Sequence, residues 1–475
     1  MDLMVDELMP IRSGSSDFVF HIPSSSFYEV DGDTRRILDS LEAAGPLSEE
    51  QVLAQLAPLG IHDAADIVGD LVNLRLITPP ELRGEPGRAL DAPPEYDGIR
   101  NLTIHVAHTC NLACGYCYAE QGLYKGRATL MKPERAIEYV DWFFEQAPRE
   151  VPQLGITFFG GEPLLNFPVV EATARHALKL SAERGQEVRF SITTNGTLIT
   201  PEIADFLEEI RCLVTVSLDA VGKANDRLRP YHSGRGSYDI ILDRIKPLLD
   251  KKIAVCRVTV TKVNLDVVHT VHTLLEAGFR EVGCSPVDAK NPAYDLDGAD
   301  YAKLLEGFAV LSREYIEAAC RGEKHGFTNI GNILKAIHNG HNKEYPCGAG
   351  LQMVAAAPNG QMSLCHRFVG EEDYVLGSLQ EGGLNQEKRR EVLDAINLKE
   401  RSDCSKCWAR YICSGGCHHI NFLFNGDPQK TYLTHCDWLR AWYKTGLDAY
   451  AEILRRNPAF ISQYVDPGWI CATGN

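Results

Sequence analysis

The stretch AHTCNLACGYCYAE, residues 107–120, places three cysteines within eight positions of the chain. Cys110, Cys114 and Cys117 have the spacing C-x3-C-x2-C, and they follow an apolar run that predicts a β-strand. Three thiolates on one loop can hold a four-iron cluster and leave one iron open for another ligand. A structural zinc site is the alternative, because zinc takes a fourth protein ligand and His108 is close in sequence.

The composition is that of a large globular protein with an acidic balance. The 475 residues are 44% hydrophobic, and the formal net charge is -16. That charge argues against non-specific nucleic-acid binding, which needs a basic face. The sequence MDLMVDELMP lacks the pattern of a secretory signal, and no run of about 18 apolar residues is present. We therefore expect a cytoplasmic protein that neither binds nucleic acid nor spans a membrane.

A reducing compartment changes the meaning of the 15 cysteines. Disulfides are disfavoured there, so clustered cysteines are more often metal ligands or catalytic groups. Besides the first motif, seven cysteines crowd into residues 347–436. The sequence therefore predicts two cysteine-based metal-binding regions.

The chain divides into four predicted parts. Residues 1–95 contain a β-hairpin pattern and three amphipathic helical patterns, which suggest a winged-helix-like module, and a linker rich in Pro and Gly covers residues 79–98. Residues 96–335 alternate short apolar strands with helical patterns, which predicts a parallel α/β sheet or barrel with its chemistry at the carboxyl ends of the strands. Residues 336–445 are rich in cysteine, and residues 446–475 are predicted to form a C-terminal helix and tail.

Further motifs stand at or near successive predicted strand ends. They are Tyr116 just before the third cysteine, GGEP at residues 160–163, SITTNGT at residues 191–197, and VSLDA with DRLRP within residues 216–230. Each alone is also compatible with a core aromatic residue, a turn or a helix cap. Together with the cysteine spacing, they resemble the radical S-adenosylmethionine (SAM) superfamily, whose members cleave SAM to a 5'-deoxyadenosyl radical.

This resemblance implies a partial (β/α)6 barrel of the TIM type, with a four-iron cluster on the first three cysteines. It also implies that SAM is bound by Tyr116, Gly160, Gly161, Glu162, Pro163, Thr193, Asn195, Ser217, Asp219 and Arg229. In that interpretation, Tyr116 packs against adenine and Glu162 accepts hydrogen bonds from the methionine ammonium. Thr193 and Asn195 bind the ribose, and Arg229 binds the methionine carboxylate.

The seven C-terminal cysteines resemble the SPASM domain of radical SAM enzymes. The resemblance implies two auxiliary four-iron clusters, and therefore three clusters in all. The distal cluster takes Cys404, Cys407, Cys413 and Cys436, and the proximal cluster takes Cys347, Cys365 and Cys417. The proximal cluster is then one ligand short, and Met353 lies near the position where some relatives have a cysteine. A spare cysteine, another side chain or a substrate thiolate fills that position; the spare cysteines are Cys212, Cys256, Cys284, Cys320 and Cys471.

The N-terminal module resembles the peptide-recognition element of enzymes that modify ribosomally made peptides. Such an element binds an extended leader by adding a strand to a sheet edge. The sequences at residues 365–377, 407–419 and 436–454 resemble thioether-forming maturases, above all the radical enzymes that mature quinohemoprotein amine dehydrogenase. This implies Cys-to-Asp or Cys-to-Glu thioethers in a small amine dehydrogenase subunit, with a flavodoxin or ferredoxin as the reductant.

Three alternatives stay open at this stage. They are a maturase that makes formylglycine on sulfatases, a thioether maturase of another ribosomal peptide, and a non-enzymatic iron–sulfur scaffold. His366 follows Cys365, where sulfatase-maturing relatives have an aspartate thought to act as base. This difference argues against the first alternative, and it makes His366 the candidate for a catalytic base. A winged helix can also bind DNA, but the acidic charge disfavours that reading.

Overall fold

The computed structural model describes residues 2–86, 98–340 and 343–465. Most of the linker predicted over residues 79–98 lies outside the described residues, as does Cys471. Within the described ranges, no helix is both long enough and apolar enough to cross a membrane.

The N-terminal part forms two three-stranded antiparallel sheets and three helices. Its elements are β1 (Asp2–Val5), β2 (Leu8–Ser13), β3 (Ser16–His21), β4 (Ser26–Val30), α1 (Gly32–Ala44), β5 (Leu47–Ser48), α2 (Glu49–Leu56), α3 (Ala64–Asn73) and β6 (Ile77–Thr78). One sheet has the order β5-β1-β6 and the other has the order β2-β3-β4. The predicted hairpin is β3–β4 and the predicted helices are α1 to α3, so both sequence patterns are confirmed.

The β2-β3-β4 sheet is covered on both faces. Phe18 and Phe20 of β3 point to one face and join the main core, whereas Val19 points to the other face and joins the core formed with the N-terminal helices. Phe27 of β4 packs edge-on against Tyr450 of the C-terminal helix, with ring centroids 5.1 Å apart. Because both faces are occupied, the strand edges are the surfaces at which this sheet can accept another strand.

The central part is a six-stranded parallel α/β barrel that is open on one side. Its elements are β7 (Asn101–His108), β8 (Thr129–Leu130), α4 (Pro133–Gln146), β9 (Gln153–Gly160), α5 (Phe167–Arg184), β10 (Glu187–Thr194), α6 (Pro201–Glu209), β11 (Leu213–Ser217), α7 (Lys223–Leu228), α8 (Tyr238–Arg244), α9 (Lys246–Asp250), β12 (Ala254–Val260), α10 (Val267–Glu276), β13 (Val282–Pro286), α11 (Gly298–Cys320) and α12 (Thr328–His338). The parallel strands are ordered β7-β9-β10-β11-β12-β13. The predicted partial (β/α)6 barrel is therefore confirmed.

The inner face of the barrel is polar. Laterally paired residues of parallel strands point to the same face, and Thr103, Thr157 and Ser191 form one such row. Thr157 and Ser191 are joined by a hydrogen bond of 2.8 Å between their hydroxyls. Ser217 and Arg257 are paired in the same way farther along the sheet. The barrel interior therefore offers hydroxyls and a cation.

The C-terminal part continues the barrel sheet. Its elements are β14 (Met353–Ala356), β15 (Gln361–Ser363), β16 (Val375–Ser378), β17 (Gly383–Leu384), α13 (Gln386–Ile396), α14 (Arg410–Cys413), α15 (His418–Asn425), α16 (Leu433–Arg456) and α17 (Pro458–Tyr464). β14 pairs in parallel with β7, Met353 opposite Asn101, so the cysteine-rich region is joined to the barrel through the main chain. α16 continues unbroken across the predicted boundary at residue 445. Its Trp442 packs against Phe308 of α11, with ring centroids 4.9 Å apart.

Arg410 links the N-terminal part to the loop that carries Cys407 through an ion pair and hydrogen bonds. Its guanidinium forms an ion pair with Glu7 and donates to the carbonyls of Gly84, at 3.3 Å, and of Cys407, at 3.2 Å. Its side chain is only 7% exposed, so these bonds are shielded from water. Two segments far apart in the sequence are thus held to one cysteine loop by a single buried cation.

We expect Arg410→Gln to loosen the N-terminal part by about 1–3 kcal/mol, because charge-assisted hydrogen bonds to partly buried groups are lost. The measurement is amide hydrogen exchange in β1–β4, which should become faster. Arg35→Gln is the matched control, since it removes the exposed pair with Asp39 on α1. Exchange in Arg410→Gln no faster than in this control would contradict the assignment.

Candidate functional site

The first three cysteines lie on the loop that follows β7. The N–H of Ala113 on this loop donates to the carbonyl of Pro230 at 2.7 Å, which anchors the loop to the segment after α7. Burial, the Glu162 carboxylate and the nearby thiol of Cys114 together raise the pKa of the Cys110 thiol to about 12. Burial likewise raises the pKa of Cys114, which has Cys117 as a neighbour. The loop therefore gathers the three thiols of the motif.

The two glycines of the GGEP motif let the end of β9 lie against the start of this loop. The N–H of Gly161 donates to the carbonyl of Ala107 at 2.8 Å, and the N–H of Glu162 donates to that of Thr109 at 2.9 Å. A Cβ at Gly160, where φ is +136°, would lie 2.2 Å from the Ala107 oxygen, and one at Gly161 would lie 2.2 Å from the Thr109 oxygen. No side chain fits in this space. Both glycines therefore position the cysteine loop.

Glu162 is fully buried and rigidly held. Its carboxylate accepts hydrogen bonds from Thr194 Oγ1 and the Asn195 N–H, both at 2.7 Å, and from the Leu164 N–H at 3.0 Å. Burial raises the pKa of Glu162, and these hydrogen bonds oppose the rise. Pro163 follows at the start of the short 3-10 turn Pro163–Asn166. The carboxylate is therefore fixed between the ends of β9 and β10.

Tyr116, Asp219 and Arg229 form one buried hydrogen-bonded group. Arg229 Nη1 donates to Tyr116 Oη at 2.7 Å and to the Asp219 carboxylate at 3.3 Å, and the Tyr116 hydroxyl donates to the same carboxylate. The second Asp219 oxygen accepts the N–H of Thr259 at 2.9 Å. Arg229 Nε is buried without a hydrogen-bond partner. The charge of Arg229 is thus matched by Asp219, and Nε is its unused donor.

The other predicted SAM contacts lie on or beside the barrel interior. The Asn195 amide donates to Asn111 Oδ1 at 2.8 Å and contacts Cys110 Sγ at 3.7 Å, so Asn195 is part of the support of the cysteine loop. Thr193 and Ser217 are partly exposed on the inner face of β10 and β11. The structure therefore brings together all the strand ends that the sequence singled out.

The seven C-terminal cysteines form two groups. One contains Cys347, Cys365 and Cys417, and the other contains Cys404, Cys407, Cys413 and Cys436. Burial and the thiols of Cys347 and Cys417 together raise the pKa of Cys365 to about 12. Burial raises the pKa of Cys413 to about 12 as well, and the other three members of its group are its neighbours. This is the grouping that the SPASM resemblance implies.

Among the described residues, no three His, Cys, Asp or Glu side chains converge closely enough to hold a single metal ion. A four-iron cluster distributes its thiolate ligands over several iron atoms. Each of the three groups of thiols can therefore ligate a cluster of its own, although its thiols do not converge on a single point.

His366 and Met353 border the smaller C-terminal group. The His366 ring lies 4.9 Å from the ring of Phe159 on β9, and burial lowers its pKa to about 3. Met353 is the first residue of β14, and its N–H donates to the carbonyl of Gly348 at 2.9 Å. Of the spare cysteines, Cys256 and Cys284 are buried next to each other in the barrel wall.

Several residues near the site did not stand out in the sequence. Arg367 forms an ion pair of 2.5 Å with Asp288 and lies over the ring of Tyr118, 5.0 Å from its centroid. Arg257 of β12 donates to the Ser285 hydroxyl on β13. A signal was available for Arg257, because it is the only charged residue in the strand AVCRVTV. Asp288 and Arg367 become noticeable only when the fold brings β13 and the Cys365 loop together.

We expect Gly161→Ala to displace the first cysteine loop, because its Cβ would overlap the Thr109 carbonyl. After anaerobic reconstitution, the variant should bind less iron per chain than the wild type, because the thiols of the displaced loop no longer converge. Iron and sulfide analysis per chain is the measurement. Gly298→Ala is the control, since nothing lies within 4 Å of a Cβ there. Iron content equal to that of the control would contradict the role given to Gly161.

Residues 104–276 match the Radical SAM superfamily. The serine-type anaerobic sulfatase-maturating enzyme of Bacteroides thetaiotaomicron is 26% identical over 378 residues, which covers 69% of this chain and 85% of that enzyme. Two other curated relatives are matched over 48% of their length, so the chain spans about half of those proteins.

Two solved structures show the same fold. Native anSMEcpe with bound AdoMet, which is SAM, gives a TM-score of 0.64 at 21% identity and covers 76% of this chain and 99% of that chain. Streptococcus suis SuiB bound to precursor peptide SuiA gives a TM-score of 0.51 at 15% identity. The match covers 90% of this chain and 98% of SuiB. This chain therefore has the α/β radical SAM fold; residues 104–276 match the radical SAM family, and the C-terminal part is rich in cysteine.

Proposed function

We propose that this chain is a radical SAM peptide maturase that closes thioethers between a Cys sulfur and the side-chain methylene of Asp or Glu. Its proposed substrate is a small amine dehydrogenase subunit. The observation that carries the proposal is the division of ten thiols into groups of three, three and four. This division supports one SAM-cleaving cluster and two auxiliary clusters, with a flavodoxin or ferredoxin as the proposed reductant.

The donor set fits these groups. Thiolates are the usual ligands of iron–sulfur clusters, and all 14 described cysteines are free of disulfides. A methionine zwitterion needs hydrogen-bond acceptors for its ammonium group and donors for its carboxylate. The site offers polar groups of these kinds: Glu162, Asn195 and the unpaired Nε of Arg229. When bound, the reduced cluster and SAM would supply a carbon-centred radical that can take a hydrogen atom from a C–H bond. The residues of the chain hold the thiols, orient SAM and shield the radical from water.

The net reaction is a two-electron oxidation. One S–H and one C–H bond break, and one C–S bond forms. One hydrogen atom leaves with 5'-deoxyadenosine, and the other leaves as a proton and an electron. The reaction therefore needs an electron acceptor, and a proposed auxiliary cluster is of the right chemical class.

The N-terminal part is the proposed leader-binding element. The β2-β3-β4 sheet has both faces covered, so strand addition at its edge is the mode of binding that this arrangement favours. Pro10 in β2 has no N–H, so a peptide strand added at the β2 edge would form fewer main-chain hydrogen bonds. The β4 edge is therefore the better candidate for binding the leader. SuiB covers 90% of this chain and was solved with a precursor peptide, which is consistent with such a role.

The second candidate function is formylglycine formation on a sulfatase. The similarity to an anaerobic sulfatase-maturating enzyme supports it. The presence of His366 beside Cys365, where the aspartate of such enzymes is expected, speaks for the thioether reaction instead. A pKa of about 3 makes His366 a weak base, so a catalytic role for it stays a proposal.

We expect replacement of Cys110, Cys114 and Cys117 together by Ala to abolish 5'-deoxyadenosine formation from SAM under reducing conditions. The iron of one cluster should be lost and that of the auxiliary pair kept. Chromatography of 5'-deoxyadenosine and iron analysis are the two measurements. Cys320→Ala is the control, because this spare cysteine lies at the end of α11 beside Arg456. An unchanged yield in the triple variant, or no 5'-deoxyadenosine from the wild type, would refute the radical assignment.

The product distinguishes the two candidate reactions. Mass spectrometry of a Cys- and Asp-containing substrate should show the loss of two hydrogens for each cross-link, with the sulfur retained and resistant to alkylation. Formylglycine formation from Cys also removes two hydrogens, but it replaces the sulfur by oxygen. Loss of sulfur from the peptide would favour formylglycine formation over thioether formation.

A further inference from the structure

The barrel interior holds a cation that the SAM site does not use. Arg257 lies at the centre of β12, and its lateral neighbours are Ser217 on β11 and Gly283 on β13. Arg257 therefore points to the same inner face as Ser217, whereas Cys256 and Val258 point to the outer face. A Cβ at Gly283 would lie 3.3 Å from Arg257 Nη1, so the glycine leaves room for the guanidinium.

Arg257 has no carboxylate partner within ion-pair distance among the described residues. Its side-chain hydrogen bond goes to the neutral Ser285 hydroxyl. The groups that act on it electrostatically include the thiols of Cys284 and Cys256, the carboxylate of Asp288 and a second cation, Arg367. Asp288 is only 9% exposed and is already bound to Arg367 at 2.5 Å. The Asp288 carboxylate is therefore paired with Arg367, and Arg257 is left without an ion-pair partner among the described residues.

The surrounding groups do not remove this excess of positive charge. Asp295 lies near Asp288, and Lys262 acts on it electrostatically. Partly buried charges are normally matched by a group of opposite sign. Arg257 is partly exposed toward the interior, and Arg367 is 26% exposed, so a ligand can reach both. An unmatched, accessible guanidinium in a barrel interior is suited to a carboxylate.

We propose that Arg257, assisted by Arg367, binds the carboxylate of an acidic side chain in the peptide substrate. The inference rests on the proposed function and names the substrate group that this site selects. A bidentate arginine contact would fix the carboxylate and present the adjacent methylene to the barrel interior. Asp288 competes with the substrate carboxylate for Arg367 and so lowers the affinity of the site for the peptide.

The position of Arg257 favours the peptide over the methionine carboxylate of SAM. The charged groups nearest the first cysteine loop are Glu162, Asp219 and Arg229. The charged groups that act on Arg257 are instead Asp288 and Arg367, together with the Cys256 and Cys284 thiols of the barrel wall. Arg367 follows Cys365 by two residues. Arg257 thus belongs to the side of the interior that faces the cysteine-rich part.

The test compares two synthetic peptides that carry one Cys and either Asp or Asn at the same position. Anisotropy of an N-terminal fluorophore reports their binding to the anaerobically reconstituted full chain. We expect the wild type to prefer the Asp peptide by about tenfold or more. Arg257→Gln should remove most of this preference, Arg257→Lys should restore part of it, and Arg189→Gln on the exposed end of β10 should leave it unchanged.

Two further results decide the interpretation. Asp288→Asn should strengthen the preference for the Asp peptide because it releases Arg367, and this variant tests the site even if Arg257→Gln does not fold. SAM binding, measured by equilibrium dialysis, should be unchanged in Arg257→Gln. Equal weakening of both peptides, or loss of SAM binding with an intact Asp preference, would overturn the proposal. Because the assay involves no radical step, a wild type that forms no 5'-deoxyadenosine refutes the proposed function separately.

Discussion

The contact between the end of β9 and the start of the first cysteine loop is the constraint on which the site depends. Two main-chain hydrogen bonds, from Gly161 to Ala107 and from Glu162 to Thr109, fix the loop relative to the sheet. Both glycines are needed because any Cβ would overlap a carbonyl oxygen. The same strand end places the Glu162 carboxylate, so one packing requirement sets both the thiols and the first polar group for a ligand.

The rest of the molecule is built onto this sheet through the main chain and one buried cation. β14 pairs with β7 and brings the cysteine-rich part beside the strand that leads into the first motif. Arg410 joins the N-terminal sheet to the Cys407 loop. A peptide bound at the N-terminal part would therefore bind to a module that one buried cation links to the larger cysteine group. This arrangement makes mutual influence between these two regions physically reasonable.

The two interior arginines differ in their charge balance. Arg229 is matched by Asp219 and bonded to Tyr116, so its electrostatic role is largely internal. Arg257 has no ion-pair partner among the described residues, because the nearby Asp288 is bound to Arg367. Burial without a partner is costly, and a structure keeps such a group where a ligand completes it. This difference separates a proposed nucleoside side of the interior from a proposed substrate side.

The resemblance of its motifs to a known superfamily implied the open six-stranded barrel, whereas the sequence by itself determined the alternating strands and helices of the α/β part and the first cysteine motif. These follow from local periodicity and from the spacing of Cys110, Cys114 and Cys117, which are properties of short segments. Only the tertiary structure decided that Gly160 and Gly161 face a backbone, that Arg229 is paired with Asp219, and that Arg257 lies near Asp288 and Arg367. Such pairings join segments dozens of residues apart, and no local pattern encodes which partner a side chain meets after folding.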